Sequence, residues 1–258
     1  MFDTHCHYND KKLLRNYKEL LFEAREKGVK YVNVVGWDIE SSKTAIEIAH
    51  NSQNVFASVG IHPSDVIKID DSHLLKLEKL VTDKKVIAVG EIGLDYHWVK
   101  DTEGREKQKE YFIKQIAIAN KYKLPITIHV RDAFNDALNI LKEHRPQYGG
   151  IMHLYSGSVE MVDDFIKLGL YISLGGPVTF TNAKTPPLVA KHVPIDKLLI
   201  ETDAPYLTPH PYRGRINHSA YLPLIAQKIA DLRVESFEYI VEKTTENALK
   251  IFHVEQLK

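Results

Sequence analysis

The chain has 258 residues, close to the ~250 that one α/β barrel domain commonly occupies and long enough to bury a sizeable core. Its 34 lysines and arginines balance 34 aspartates and glutamates, so the formal net charge is +0. That balance argues against an extended groove coating long duplex nucleic acid, which draws on a strong basic excess; it leaves room for cutting a short piece, where metal ions supply the positive charge.

Short apolar runs alternate with longer amphipathic ones. Residues 2–5 read as the first strand. Residues 11–27 follow as a helix, with Leu13, Leu14, Tyr17, Leu20, Leu21 and Ala24 at helical spacing and Gly28 where a helix would stop. Strands are then expected at 31–36, 54–60, 86–91, 125–129, 150–153, 170–174 and 198–203, each rich in Val and Ile and most too short for a helix. Helical patterns at 41–51, 72–82, 104–122, 133–144 and 159–168 lie between them; Gly169 is another stop, and 188–192 is a shorter, weaker case. Two more helical stretches, 219–232 and 234–252, follow the eighth strand.

Alternating strands and helices imply a parallel sheet with right-handed crossovers. Eight such strands imply closure into a (β/α)8 TIM barrel, an α/β fold, here one domain over residues 1–258 with extra C-terminal helices. An open doubly wound sheet is the competing arrangement. It expects a Gly-rich phosphate fingerprint after the first strand, and MFDTHCHYND carries none.

The same segment has neither a basic start nor an apolar run, and no stretch approaches the ~20 apolar residues that span a bilayer. Cys6 is the one cysteine, so an intramolecular disulfide is excluded and a reducing compartment fits. A cytoplasmic protein without membrane partners is expected. No exposed apolar repeat demands an oligomer, so a monomer is the default.

Histidines and carboxylates recur at the ends of the expected strands. His5 and His7 close the first, His62 follows the third, Glu91 ends the fourth, His129 the fifth, His153 the sixth and Asp203 the eighth. Active sites of this barrel lie at the C-terminal ends of its strands, so six segments deliver imidazole or carboxylate groups to one face. Residues two apart in an extended segment point the same way; both imidazoles of His5 and His7 can reach one metal, with Cys6 turned into the helix layer.

A lone His-x-His also arises by chance at a polar strand end, and it is the repetition that favours metal. Histidine and carboxylate donors suit zinc, manganese, iron or nickel, with magnesium at more oxygen-rich sites. Six ligands exceed what one catalytic ion with open positions needs. They suit two divalent ions (Mg, Mn or Zn) roughly 3.5–4 Å apart. Glu91 has two oxygens with which to bridge them, and Asp203 can both bind a metal and take a proton from attacking water.

Six segments in order, DTHCH, GIHP, GEIGLDY, HVRDA, HLYSGS and ETDAPYL, resemble the signatures of the TatD-type metal-dependent deoxyribonucleases of the amidohydrolase-like barrel superfamily. The likeness runs from Asp3 to about Phe252. It implies a nuclease hydrolysing DNA phosphodiesters, typically as a 3′-to-5′ exonuclease, at a binuclear site. Carried over position by position, His5, His7, Glu91 and Asp203 match the ligands of one metal, and Glu91, His129 and His153 those of the second. Glu91 and Asp203 are the residues expected to carry catalysis, and DNA, single-stranded or held by its end, is the expected partner. Two departures stand out. HLYSGS replaces a usual His-Cys-Phe-Ser-Gly, and residues 213–219 lack an arginine, a glutamate and a proline of the usual pattern, which places substrate binding there in question.

Other candidates have structural alternatives. His62 can touch a substrate phosphate or be a loop histidine restrained by Pro63. Arg131 can bind phosphate or pair with Asp132 or a helix carboxylate. Arg213 is a candidate phosphate contact, although a solvated loop accounts for it or for Arg215. Tyr96, His97, Trp98 and Tyr155 can stack on an unpaired base, worth ~1–3 kcal/mol, or pack within their loops; for Trp98 packing is favoured. Glu201 shares a face with Asp203 and is expected below the metals as partner to a ligand histidine. His50, His73, His144, His192 and His253 read as surface or packing residues, and the charged runs 83–85 and 100–109 as solvated. Two other functions compete: amide or lactone hydrolysis at the same metals, and a non-catalytic binding protein, which would have lost ligands.

Overall fold

The computed structural model describes residues 1–254. Eight strands form one parallel sheet in sequence order: β1 (Phe2–Cys6), β2 (Tyr31–Val35), β3 (Val55–Val59), β4 (Val86–Asp95), β5 (Ile126–Arg131), β6 (Gly150–Met152), β7 (Leu170–Leu174) and β8 (Leu198–Ile200). The sheet closes on itself just beyond β8. There the Asp203 N–H donates to the His5 carbonyl at 2.9 Å and the His7 N–H to the Ala204 carbonyl at 2.7 Å. The expected (β/α)8 barrel is the observed fold.

The helices are α1 (Tyr17–Glu26), α2 (Ile39–His50), α3 (Asp71–Leu80), α4 (Thr102–Tyr122), α5 (Phe134–Glu143), α6 (Val162–Lys167), α7 (Thr185–His192), α8 (Leu222–Arg233) and α9 (Phe237–Ile251). Side-chain caps start several of them: Asp38 accepts from the Ser41 N–H at 2.7 Å and Asp101 from the Gly104 N–H at 2.7 Å. Gly28 and Gly169 do end helical segments, at φ +83° and +88°, where a side chain would be strained.

Several boundaries differ from expectation. The first helix begins only at Tyr17, because Asp10 holds the preceding segment in turns, its side chain accepting from the Lys12 N–H at 2.8 Å. The helix expected at 188–192 starts earlier, at Thr185, since Pro186 and Pro187 are tolerated in a first turn. The fourth strand runs on past Glu91 to Asp95, across a register shift between Val89 and Ile92. The sixth and eighth strands stop at Met152 and Ile200, so His153 and Asp203 stand just beyond them.

The strands' two-residue alternation sorts the interior into layers. Phe2, Tyr31, Phe56, Ile87, Ile151, Tyr171 and Leu199 pack at the N-terminal end of the barrel, against Leu249, Ile251 and Phe252 at the end of α9. Two residues on, Thr4, Asn33, Ser58 and Ser173 make a hydrogen-bonded layer: Asn33 Nδ2 donates to the Thr4 carbonyl at 3.0 Å and to Ser58 Oγ at 2.8 Å. His153 follows Ile151 by two, and Glu201 and Asp203 follow Leu199 by two and four. The rows of β6 and β8 therefore pass from apolar at the bottom to ionisable at the top. Cys6 points into the surrounding apolar layer with Tyr8 and Leu13, fully buried.

Candidate metal centre

Glu91 is the centre of the polar end. Its Oε2 lies 3.6 Å from His5 Nε2 and 3.8 Å from His7 Nε2. Its Oε1 lies 2.9 Å from His129 Nδ1, 3.3 Å from His153 Nε2 and 3.7 Å from His62 Nε2. The two oxygens thus face two sets of imidazoles. Asp203 Oδ1 is 3.5 Å from His7 Nε2 on the first side. Three sets bring one donor atom each within 4.8 Å of the others: His5, His7 and Asp203; His5, Glu91 and His153; and His62, Asp95 and His129.

The far nitrogens fix which lone pairs turn inward. His7 Nδ1 is 2.9 Å from the Val35 carbonyl, which can only accept, so this nitrogen donates and Nε2 carries the lone pair of the neutral ring. His153 Nδ1 lies 2.8 Å from Glu201 Oε1, and His129 Nε2 lies 3.1 Å from Asp95 Oδ2. Both donate outward and leave their second nitrogen facing Glu91. His5 Nε2 meets His7 Nε2 at 3.2 Å, while His5 Nδ1 is buried with no hydrogen-bond partner among the described residues. Converging imidazole lone pairs and carboxylate oxygens repel one another unless a cation or protons lie between them. The donor set fits divalent cations.

Protons take the cation's place in the electrostatics of the bare side chains. Burial opposes charge on His153, yet the carboxylates of Glu201 and Glu91 outweigh it and hold its pKa well above the ordinary value. Burial would raise Glu91, but the fields of His153 and His62 and hydrogen bonds from His129 and His153 hold it well below the usual range. His62 follows burial instead, its pKa pushed down to about 4. Its Nδ1 accepts from the Ser64 N–H at 3.2 Å, leaving Nε2 toward the site.

Above these groups lies a cavity of about 820 Å³. His7, His62, Glu91, His129, His153 and Asp203 line its floor. Trp37, Trp98, Tyr206 and Leu207 line its walls and mouth, and Arg131 is the one lysine or arginine among the described lining residues. Trp98 packs edge-on against His97 of its own loop, ring centres 4.9 Å apart, yet stays 69% exposed at the barrel mouth, with the Arg131 guanidinium 5.8 Å from its ring. Asp132 pairs with His97 at 3.3 Å, so the expected alternative of an Arg131–Asp132 pair is not the observed contact.

Other candidates are placed elsewhere. Tyr96 is buried and donates to Asp136 at 2.7 Å, and Tyr155 lines the cavity but donates to the Ser158 carbonyl at 2.7 Å, its ring packed against Phe134 and Phe165. Arg213 lies with its guanidinium 4.0 Å from the Phe180 ring centre and outside the cavity lining. Its loop braces the barrel: Asn217 Nδ2 donates to the Thr202 and Tyr206 carbonyls at 2.8 and 2.7 Å, and Ser219 Oγ donates to Asp3 Oδ2 at 2.6 Å. Asp3 also accepts from Thr202 N–H and Oγ1, which pins the segment leading to Asp203 onto β1; burial pushes the Asp3 carboxyl up to about 6.

Asp95 is the residue that sequence reasoning passed over. It is 2% exposed, and a ligand-sized carboxylate at the end of a strand was the available signal. The expected fourth strand, 86–91, stops four residues short of it. In fact Gly93 continues the strand at φ +143°, where a Cβ would collide with the His129 carbonyl.

Comparison with known proteins identifies the family. The profile of the TatD related DNase family matches residues 2–253. The chain is 43% identical over 255 residues to the metal-dependent hydrolase YabD of Bacillus subtilis, covering 98% of this chain and 99% of that one. It is 34% identical over 262 residues to the metal-dependent hydrolase YcfH of Escherichia coli, covering 99% and 96%. Its fold superposes on the crystal structure of the TatD homologue YJJV of Escherichia coli with a TM-score of 0.93 at 29% identity, covering 99% of this chain and 98% of the other. The chain belongs to the TatD family and is a metal-dependent hydrolase.

Proposed function

We propose that this protein hydrolyses phosphodiester bonds of DNA, removing nucleotides from a single-stranded 3′ end, with two divalent ions held on either side of Glu91. The observation that carries the reading is the division of Glu91 itself: Oε2 faces His5 and His7, Oε1 faces His129 and His153. One carboxylate oxygen for each imidazole set is what a bridging ligand provides. Asp203 completes the first set beside His7. Magnesium, manganese and zinc all suit these donors.

Divalent ions bound there supply an acidified water and neutralise charge on the phosphoryl oxygens. The protein's own groups do the rest. Asp203, a buried carboxylate whose pKa the neighbouring histidines, His7 foremost, hold below the ordinary value, is placed to accept the proton of the attacking water. His62 directs Nε2 toward the same space and can donate to a phosphoryl oxygen when protonated there. Arg131 at the mouth takes the neighbouring phosphate, and Trp98 offers an exposed face for an unpaired base. A cavity of about 820 Å³ lies in the range that encloses a small ligand, which suits one or two nucleotides of a strand end. The balanced net charge accords with a short grip on the backbone.

The same donor set would serve amide or lactone hydrolysis, since fold and metals do not choose the substrate; the Trp98–Arg131 pair favours a nucleic acid. The test is incubation of metal-loaded protein with 5′-labelled single-stranded DNA, duplex DNA, RNA, and a panel of amides and lactones, with and without chelator. A chelator-sensitive ladder of shortened single strands is expected. Turnover confined to the amides or lactones would overturn the reading.

A further inference from the structure

We propose that Asp95 is a positioning residue for His129: it fixes which imidazole nitrogen faces Glu91 and couples that nitrogen to the loop carrying Trp98. The inference rests on the reading of His129 as a metal ligand.

The carboxylate is fully engaged. Oδ1 accepts from the His97 N–H at 2.9 Å and the Trp98 N–H at 3.2 Å. Oδ2 lies 3.1 Å from His129 Nε2. The backbone on either side is pinned as well, the Asp95 N–H donating to Gln108 Oε1 at 2.9 Å and Gln108 Nε2 donating to the Asp95 carbonyl at 3.1 Å. Glu91 Oε1 faces Nδ1 at 2.9 Å and Asp95 Oδ2 faces Nε2 at 3.1 Å, and an ionised carboxylate can only accept; when a cation takes the place of the Nδ1 proton, the ring keeps its remaining proton on Nε2, toward Asp95, and offers its Nδ1 lone pair on the Glu91 side. Glu201 stands in the same relation to His153, and the Val35 carbonyl to His7. Each of these ligand rings is thus held by its far nitrogen, the arrangement that orients metal-binding histidines and raises their basicity.

Asp95 also belongs to the set formed with His62 and His129, which invites the alternative that it ligates an ion of its own. The geometry favours the orienting role. Oδ1 is taken by two backbone donors, Oδ2 sits at hydrogen-bond distance from Nε2, and the opposite nitrogen of His129 already faces Glu91.

Asp95→Asn separates these roles almost isosterically. Its carbonyl oxygen must stay under the two backbone N–H groups, so its NH2 faces His129 Nε2. The ring is then driven to the tautomer with a proton on Nδ1, aimed at Glu91, and loses the lone pair that would bind a cation. Calorimetric titration of the metal-free protein with Mn²⁺ is expected to show one of two sites weakened about 10–100-fold in Asp95→Asn. His129→Ala should weaken the same site. Histidine-selective ¹⁵N spectra at saturating Zn²⁺ should show the His129 Nε2 proton hydrogen-bonded in the wild type and that hydrogen bond lost in Asp95→Asn. This readout survives any loss of affinity from a general loosening, and thermal melts establish that the variant is folded. Wild-type Mn²⁺ binding in Asp95→Asn beside weakened binding in His129→Ala would overturn the positioning role alone. Wild-type binding in both would overturn the ligand reading beneath it. A third Mn²⁺ bound by the wild type and lost in Asp95→Asn would make Asp95 a ligand instead.

Discussion

The two ends of the barrel are built from the same eight strands and have opposite chemistry. At the N-terminal end Phe2 stacks on Tyr31 with ring centres 5.5 Å apart and meets Phe252 of the C-terminal segment at 5.4 Å, and the interior is closed. At the C-terminal end the rows finish in His5, His7, Glu91, His129, His153 and Asp203 beneath an open cavity. Burial of apolar area stabilises the first end. The second concentrates like-facing lone pairs and buried carboxylates, which cost stability until something compensates them. The division teaches that stability and reactivity are separated along the barrel axis by only a few residues of each strand, with the Thr4–Asn33–Ser58–Ser173 layer between.

Substitution at the polar end is expected to have the largest effect. Glu91→Gln keeps the volume but removes the charge that both imidazole sets face. Hydrolysis should fall on the order of 10³-fold or more, with the far-ultraviolet spectrum unchanged. Asp203→Asn should behave alike. Near-wild-type turnover in either would break the claim that this end is the reactive one. At the opposite end, Phe252→Ala empties a buried ring site and should cost about 3–5 kcal/mol, read as a lower denaturation midpoint, while turnover per folded molecule stays within about twofold. A large loss of turnover without loss of stability would mean that the ends are not separable.

An intermediate effect is expected at the mouth. Trp98→Ala removes a stacking face from a loop that is otherwise exposed. It should raise KM for single-stranded DNA by roughly 5–100-fold, from the ~1–3 kcal/mol of base stacking, and leave kcat near wild type. Hydrolysis of a small phosphodiester without a base, such as bis(p-nitrophenyl) phosphate, should be indifferent to the change. Equal losses on both substrates would show that Trp98 supports the metal centre and not the nucleotide.

How far all this could be read from the sequence depended on which part of a strand was in question. The rows that run apolar to polar, such as Leu199–Glu201–Asp203 and Ile151–His153, announce both the barrel and its reactive end, because the two-residue period ties each side chain to the interior. The same period puts Glu201 on the face of Asp203, below the metals, where a ligand histidine was expected as its partner; the structure supplies His153. What the period could not show was the continuation of β4 through Gly93, since glycine ordinarily weakens a strand and here serves a close approach to the His129 backbone. Asp95 was hidden with it. The directions of Tyr96, Tyr155 and Arg213 were equally out of reach. Loop side chains follow contacts far away in sequence: Asp136 lies forty residues from Tyr96, and Phe180 thirty-three from Arg213.

Arg213 gives the smallest expected effect and the sharpest test of where the polar end stops. Its loop departs from the family pattern, and a phosphate contact there was one expectation. In the structure the guanidinium lies over Phe180, and the loop's Asn217 and Ser219 are spent on Thr202, Tyr206 and Asp3, holding the segment that carries Asp203. If this loop braces and does not grip, Arg213→Ala should change KM for single-stranded DNA by less than about twofold, within the ~0.5 kcal/mol typical of surface substitutions. Ser219→Ala, by contrast, removes a donor from the buried Asp3 carboxylate and should cost about 1–3 kcal/mol of stability. A rise in KM of tenfold for Arg213→Ala, with stability unchanged, would extend the substrate surface beyond the cavity and across the loop.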